Sequence, residues 1–215
     1  MFKMQNNISV IGVDLDGTLY PITPEIKKRQ RENIYQKMSV HFGISAEEVG
    51  KLFEENYSKM GSGSRALESI AKSLEKPVPK EDFIQEALEE TDFLDLLEPN
   101  LKLSQMLNRI SVTKKLDLIT SSRCDFALEK LRRIGIYKEI FENILAHEGS
   151  KTTGEVYRKW LSKRGFPASQ HLYVGDNQIQ DIDVPNQLGI QTCFLGNYLM
   201  ANFQIKSILD LESIL

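Results

Sequence analysis

The sequence predicts an α/β protein in which an all-helical domain is inserted into a doubly wound, Rossmann-like parallel sheet. Short apolar segments rich in β-branched residues alternate with helical patterns, and this alternation is typical of a parallel sheet covered by helices. The alternation stops between residues 20 and 98, where helical patterns follow one another without a convincing strand. We therefore expect one α/β core interrupted by a helical insertion.

The strands of the predicted sheet are short and almost continuously apolar. The strongest is ISVIGVD at 8–14, whose length and β-branched character suit a strand buried on both faces. Four further segments have a similar character, namely 116–120, 171–175, 190–195 and, more weakly, 142–147. Helical patterns lie between them at 101–110, 123–134 and 154–164. Gly135 is suited to end the second of these helices, because glycine readily adopts the left-handed conformation found there.

The insertion differs from the core in pattern and in charge. Its four helical patterns lie near 24–39, 45–58, 64–75 and 80–90. Residues 20–98 contain 16 acidic and 11 basic residues, a net charge of −5, whereas the rest of the chain has 14 acidic and 16 basic residues, a net charge of +2. We therefore assign residues 1–19 and 99–215 to the core domain and residues 20–98 to the helical domain.

The overall composition excludes several classes of partner. The 215 residues are 41% apolar and 27% charged, which is ordinary for a globular protein. A net charge of −3 argues against a nucleic-acid binder, which needs a basic face. No apolar run approaches the roughly 18 residues of a membrane span, and the first residues lack the apolar core of a signal peptide. With only Cys124 and Cys193, we expect reduced thiols in a cytoplasmic protein. As a separate expectation, the protein is a monomer or a weak homodimer.

Four aspartates lie just beyond predicted strands. Asp14 and Asp16 follow the first strand, and Asp176 and Asp181 lie in VGDNQIQD after a later one. Ligands of parallel sheets bind beyond the carboxyl ends of the strands, and Gly17 permits the chain to turn there. Neighbouring carboxylates repel one another unless a cation joins them, and hard oxygen ligands with open positions suit Mg²⁺.

A plain turn or an EF-hand loop fits these aspartates less well. An isolated Asp-x-Asp is common in turns. The EF-hand is a sharper alternative, because Glu25 is the twelfth residue counted from Asp14, but Leu19 stands at the position that requires glycine. A strand rather than a helix precedes the loop, and Pro21 and Pro24 interrupt it. The sequence also contains no GxxxxGK[ST], GxSxG or HExxH pattern.

Four motifs in order resemble the haloacid dehalogenase superfamily. DLDGTL at 14–19 follows a strand, and GDxxxxD occurs at 175–181. LITSS ends a strand at Thr120 and resembles the second motif of the family, and Lys151 resembles its third-motif lysine. The sequence departs from the family pattern at Thr152, where a proline is usual, and at Pro185, where a small residue is usual.

The position of the helical insertion, directly after the first motif, is similar to that in family members with an α-helical cap. DLDGTLYP and LLEPNLKLSQML most resemble pyrimidine 5′-nucleotidase-like members, and phosphoglycolate phosphatase-like and β-phosphoglucomutase-like members share the layout. The resemblance implies a Mg²⁺-dependent phosphatase that acts on a small phosphorylated metabolite, with a nucleoside monophosphate, phosphoglycolate or a sugar phosphate as the substrate. A sugar-phosphate phosphomutase and a non-catalytic regulatory protein remain the alternatives.

The resemblance also assigns roles to residues of the predicted core. Asp14 is the expected nucleophile and Asp16 the general acid and base, and Asp14, Asp176 and the backbone carbonyl of Asp16 are the expected Mg²⁺ ligands. The second acid favours phosphoryl transfer over dehalogenation, which needs neither Mg²⁺ nor that acid. The supporting residues are Thr120, the amide of Ser121 and Lys151 for the phosphoryl oxygens, Asp181 for orienting Lys151 or a metal-bound water, and Thr18 for fixing the turn.

The loop MGSGSRAL at 60–67 is the candidate specificity element of the helical domain. In capped relatives the corresponding loop reaches the active site, so Ser64 and Arg65 are expected to contact the substrate. The alternative is a plain turn between helices, with Ser64 capping the next helix and Arg65 in solvent.

Overall fold

The computed structural model describes residues 7–80 and 82–215 and divides them into two compact units. One unit contains the residues up to Ile22 together with Leu97–Leu215, and the other contains Thr23–Leu96. The sequence predicted the changes of domain at residues 20 and 98. No helix among the described residues is long and apolar enough to cross a membrane.

The first unit is built on a parallel sheet of six strands, as the predicted α/β class requires. The strands are β1 (Val10–Val13), β2 (Lys115–Thr120), β3 (Asn143–Ala146), β4 (His171–Gly175), β5 (Gln191–Leu195) and β6 (Phe203–Ile205). Their order across the sheet is β3-β2-β1-β4-β5-β6. After β1, the chain adds β2 and β3 on one side of β1, and it then crosses back so that β4 pairs with the other side of β1. This reversal beside β1 is the point at which open α/β sheets bind their ligands.

The helices of the α/β unit lie close to their predicted positions. They are α5 (Leu101–Thr113), α6 (Cys124–Arg133), α7 (Glu155–Arg164) and the short α8 (Val184–Gln187). Gly135 has a φ of 75° directly after the end of α6. A π-helical turn at Gln178–Asp183 runs into α8, and Pro185 lies in the first turn of α8.

The sixth strand was not predicted. β6 is only three residues long, pairs with β5 alone and leaves Gln204 exposed. A segment of this length carries too little periodicity to distinguish a strand from a loop. Its pairing is therefore decided by tertiary contact with β5.

The centre of the α/β unit packs α7 against the sheet. Gly12 of β1 makes this possible, because a Cβ at this position would lie 2.7 Å from the buried indole of Trp160. The indole Nε1 donates a hydrogen bond of 2.7 Å to Asp117 on β2. Arg164 also forms an ion pair with Asp117, which is fully buried. The interface of α7 with the sheet thus includes a buried and compensated charge.

Among its described residues, the second unit contains four helices and one 3₁₀ turn. The helices are α1 (Pro24–Phe42), α2 (Ala46–Met60), α3 (Gly63–Ser73) and α4 (Phe83–Glu89), followed by the turn Leu94–Leu96. Their shared core includes the buried side chains of Ile34, Met38, Phe42, Val49, Phe53, Leu67 and Ile70. Arg29 of α1 donates a 2.7 Å hydrogen bond to Asp95 near the end of the unit. The two ends of this helical unit therefore lie close together.

The N-cap of α3 is not the serine that the plain-turn alternative assigned. The N-cap is Ser62, whose hydroxyl accepts a hydrogen bond from the Arg65 backbone N–H, and the helix begins at Gly63. Ser64, the N-cap in the plain-turn alternative, instead lies in the first turn. Two serines two residues apart both fit the N-cap preference, so local sequence alone did not select between them.

Candidate active site

Two adjacent strands bring three carboxylates together. β1 pairs in parallel with β4, and the backbone N–H of Asp14 donates to the Val174 carbonyl at 2.9 Å. Asp14 and Asp176 therefore leave the sheet side by side, and Asp181 approaches from the π-helical turn. One carboxylate oxygen from each of the three lies within 4.8 Å of the others. Such a group of hard oxygen donors is chemically suited to Mg²⁺.

Gly17 allows the chain to turn tightly beside these carboxylates. Its φ is +85°, and a Cβ at this position would lie 2.3 Å from Oδ2 of Asp176. A side chain there would be strained by the backbone conformation and would displace the carboxylate. Thr18 follows, with its buried hydroxyl 3.4 Å from Oδ2 of Asp14 and 3.5 Å from Oδ1 of Asp176. The hydroxyl of Thr18 thus lies within hydrogen-bond reach of both carboxylates.

Lys151 lies against the carboxylates from the loop that precedes α7. Its buried ammonium donates to Asp14 Oδ1 at 2.5 Å and to Asp181 Oδ1 at 3.0 Å. Asp181 is fixed in turn, because its Oδ2 accepts from the Asn177 backbone N–H at 2.9 Å. The Tyr157 hydroxyl donates to the Gln180 carbonyl at 2.8 Å and holds the π-helical turn that carries Asp181. Asp181 thus pairs with Lys151 and also belongs to the carboxylate group.

The crowding of these charges changes their protonation equilibria. Burial raises the pKa of Asp14 to about 7, since the neighbouring Asp181 and Asp16 add to the effect and Lys151 offsets only part of it. Burial and Asp181 raise the pKa of Asp176 to about 6. Burial works to lower the pKa of Lys151, yet Asp14 and Asp181 hold it well above its usual range. The site therefore favours additional positive charge.

Asp16 faces a different set of partners. Its Oδ2 accepts from the Ser122 hydroxyl at 3.0 Å, and its Oδ1 accepts from the Lys130 ammonium at 2.6 Å and from the Tyr20 hydroxyl. Burial works to raise the pKa of Asp16, but these donors, with Lys130 foremost, hold that pKa below its usual value. The carboxylate of Asp16 is thus held by three donors and lies outside the three-aspartate group.

Lys130, Ser122 and Tyr20 were not predicted as site residues. Only Lys130 left a signal in the sequence. It lies on α6 three residues after Ala127 and four before Ile134, and thus on the apolar face of that helix. A charged residue within an apolar stripe indicates a buried partner, but the stripe does not reveal which one. Tyr20 and Ser122 look like ordinary loop residues.

The predicted phosphoryl-binding residues lie at the end of β2. Thr120 is buried, and its hydroxyl accepts from the Ser122 backbone N–H at 3.1 Å. The carbonyl of the half-buried Ser121 lies 3.2 Å from Nδ1 of His147, which follows β3. β1 is hydrogen-bonded to both β2 and β4, so the residues after β2 lie along the same sheet edge as Asp14. Ser64 and Arg65 are exposed on the first turn of α3 in the other unit.

The fold is Rossmann-like, with a group of carboxylates beyond the carboxyl ends of its strands. The sequence model of the haloacid dehalogenase-like hydrolases matches residues 11–195. The chain therefore belongs to the haloacid dehalogenase-like hydrolases, and it is an enzyme of that family. Among curated proteins, none matches the sequence significantly.

Several solved structures share the fold at low sequence identity. A haloacid dehalogenase-family phosphatase from Thermococcus onnurineus is 17% identical with a TM-score of 0.65, and the match covers 96% of this chain and 97% of that one. A putative β-phosphoglucomutase from Thermotoga maritima is 20% identical with a TM-score of 0.62, covering 97% and 100%. A 2-haloacid dehalogenase from Pseudomonas syringae is 19% identical with a TM-score of 0.57, covering 96% and 97%.

These three structures carry the names of three different reactions. The shared fold therefore does not select among hydrolysis of a phosphate ester, transfer of a phosphoryl group and dehalogenation. That selection depends on the side chains at the carboxyl edge of the sheet.

Proposed function

We propose that the protein is a Mg²⁺-dependent phosphatase that hydrolyses a small phosphate monoester through an aspartyl-phosphate intermediate. The observation that carries this proposal is the pairing of Asp14 with the buried Lys151 inside the three-aspartate group. A second carboxylate, Asp16, is held separately two residues further on. A nucleophile, a cation for the phosphoryl oxygens and an acid–base group are the parts that phosphoryl transfer requires.

The residues fit Mg²⁺. Three carboxylates have oxygens within 4.8 Å of one another, and the raised pKa values of Asp14 and Asp176 indicate that their negative charges lack full compensation. Asp14, Asp176 and the backbone carbonyl of Asp16 would hold the ion. When bound, Mg²⁺ neutralises the repulsion between a carboxylate and a phosphate dianion and orients the two for in-line attack.

Asp14 carries the first covalent step of the proposed reaction. A carboxylate oxygen of Asp14 attacks phosphorus, and the bond from phosphorus to the leaving oxygen breaks. Lys151 is proposed to compensate negative charge on the phosphoryl oxygens, and the 2.5 Å contact of its ammonium with Asp14 supports this role. The hydroxyl of Thr120 and the amide of Ser121 are proposed to donate hydrogen bonds to the same oxygens.

Asp16 moves the protons of the reaction. In the first step it gives a proton to the leaving oxygen. In the second step it accepts a proton from the water that attacks the intermediate. Its low pKa means that the carboxylate form dominates in the described arrangement, so Asp16 is ready for the second step.

The proposed substrate is a small phosphorylated metabolite, with a nucleoside monophosphate first among the classes to test. This preference comes from the resemblance of DLDGTLYP and LLEPNLKLSQML to nucleotidase-like sequences. Ser64 and Arg65 are proposed as specificity residues, and their exposure leaves both side chains available to a ligand. A panel of nucleoside monophosphates, phosphoglycolate and sugar phosphates, compared by kcat/KM, identifies the class. Isomerisation of a sugar phosphate without phosphate release would instead indicate a phosphomutase.

The proposal is tested by phosphate release from p-nitrophenyl phosphate. We expect activity that requires Mg²⁺, disappears with EDTA and is lost in Asp14→Asn. Asp210→Asn, which changes an exposed aspartate near the C-terminus, serves as the matched control and should retain activity. Undiminished turnover by Asp14→Asn would refute the assignment of the nucleophile.

A further inference from the structure

We propose that Lys130 is a positioning residue that holds Asp16 for hydrolysis of the aspartyl-phosphate intermediate, an inference that rests on the proposed function. The first observation is the position of Lys130 in α6. Its side chain is only 4% exposed, and it lies on the helix face that packs the buried Ala127 and Leu131. An apolar side chain would fill such a position without the cost of removing an ammonium group from water.

The second observation is where that ammonium is directed. Lys130 Nζ donates to Asp16 Oδ1 at 2.6 Å and to the Ser122 hydroxyl at 2.8 Å, and it lies 4.3 Å from the centre of the Phe126 ring. The Ser122 hydroxyl in turn donates to Asp16 Oδ2 at 3.0 Å. Lys130 therefore acts on one oxygen of Asp16 directly and on the other through Ser122.

The third observation is that both oxygens of Asp16 are fixed from separate parts of the chain. Tyr20 comes from the loop after β1, Ser122 from the loop after β2, and Lys130 from α6. Rotation of the carboxylate would break hydrogen bonds to at least one of these segments. A group that must meet an attacking water within hydrogen-bond reach benefits from such a fixed orientation.

The step that depends on this orientation is the second one. A water oxygen bonds to phosphorus, the bond from phosphorus to the Asp14 oxygen breaks, and Asp14 leaves as a carboxylate. One proton of the water passes to the carboxylate of Asp16, and inorganic phosphate is released. A tilted Asp16 slows this proton transfer and leaves the intermediate on Asp14.

The test uses p-nitrophenyl phosphate, because p-nitrophenolate leaves without a proton and the first step is then insensitive to Asp16. kcat/KM reports the steps up to departure of p-nitrophenolate, whereas kcat includes hydrolysis of the intermediate. In Lys130→Met we expect kcat to fall roughly tenfold or more, with KM falling in parallel and kcat/KM unchanged. A burst of p-nitrophenolate approaching one equivalent per enzyme should accompany the change.

Asp16→Asn provides the benchmark and should show the same signature more strongly. Lys114→Met is the matched control: Lys114 is partly buried in the same unit, but its ammonium donates to the Ile8 carbonyl before β1. It should leave both constants unchanged. Thermal unfolding checks that each variant is folded, and Ser122→Ala, which removes the second support of Asp16, replaces Lys130→Met if that variant does not fold.

The outcomes separate the two proposals. In the first outcome, Asp16→Asn shows the fall in kcat with unchanged kcat/KM, but folded Lys130→Met does not: its kcat is normal, or kcat and kcat/KM fall equally. The inference about Lys130 is then wrong, while the proposed function stands. The same criterion applies to Ser122→Ala where it replaces Lys130→Met. If the unmodified protein releases no phosphate, or Asp16→Asn behaves like the unmodified protein, the proposed reaction sequence itself fails and the inference fails with it.

Discussion

If the proposed site holds Mg²⁺, acidification should release the ion well before the pH at which ordinary carboxylates titrate. The pKa of Asp14 is raised to about 7 and that of Asp176 to about 6. Each group binds a proton as the pH falls through its pKa, and that proton must leave before the carboxylate can coordinate the ion. Affinity for Mg²⁺ should therefore be close to its full value at about pH 8 and should decline as the pH falls through 7 and 6.

The size of the effect follows from the two raised pKa values. Protonation of Asp14 and Asp176 together should lower the apparent Mg²⁺ affinity about twentyfold at pH 6 relative to pH 8. At pH 5 the affinity should be about a thousandfold lower than at pH 8. Two carboxylates with unshifted pKa values would weaken binding by less than about twofold, even at pH 5. The difference between these cases is large enough to measure.

Isothermal titration calorimetry with Mg²⁺ at pH 8, 7 and 6, in two buffers of different ionisation enthalpy, gives both the affinity and the protons released. Circular dichroism at each pH checks that the protein remains folded. Binding that changes less than threefold between pH 8 and pH 6, or that releases no protons at pH 6, would refute the reasoning.

Three further changes test other parts of the structure. Gly17→Ala should destabilise the protein by about 1–2 kcal/mol and weaken Mg²⁺ binding, because the new Cβ meets the Asp176 carboxylate; normal thermal unfolding together with normal calorimetric titration would contradict this. Arg164→Met leaves Asp117 buried without its ion pair, so urea denaturation should show a loss of about 3–5 kcal/mol, and a loss below about 1 kcal/mol would be inconsistent with a buried pair. Arg65→Ala should raise KM for the true substrate with kcat largely kept, whereas an unchanged KM would remove Arg65 from the specificity residues.

The sequence was most informative where structure and chemistry are both local. Asp14 and Asp176 directly follow buried strands, and strand ends can be read from apolar runs. The resemblance to a family then connected Lys151, far away in sequence, to the same edge of the sheet. The fold class and the six-stranded parallel sheet agree with this interpretation, although the sequence revealed only five of the strands.

What the sequence could not reveal depends on contacts between distant segments. The support of Asp16 by Ser122 and Lys130 joins residues more than a hundred positions apart, and neither partner lies in a pattern that names the other. The strand β6 likewise could not be predicted, because its three residues form a strand only through pairing with β5. The N-cap Ser62 illustrates a different limit, since two nearby serines satisfied the same local rule.

The close approach of the two ends of the helical unit affects how the whole chain can fold. β1 must pair with β2 across the insertion, with Val10 opposite Lys115. Arg29 and Asp95 hold the start and the end of the insertion near each other, so a folded insertion acts as a short connection. When the flexible loop that must close between β1 and β2 shortens from about 100 to about 30 residues, the entropic cost of closing it falls by about 1 kcal/mol. An insertion that folds early therefore makes the central, long-range pairing of the sheet kinetically more accessible.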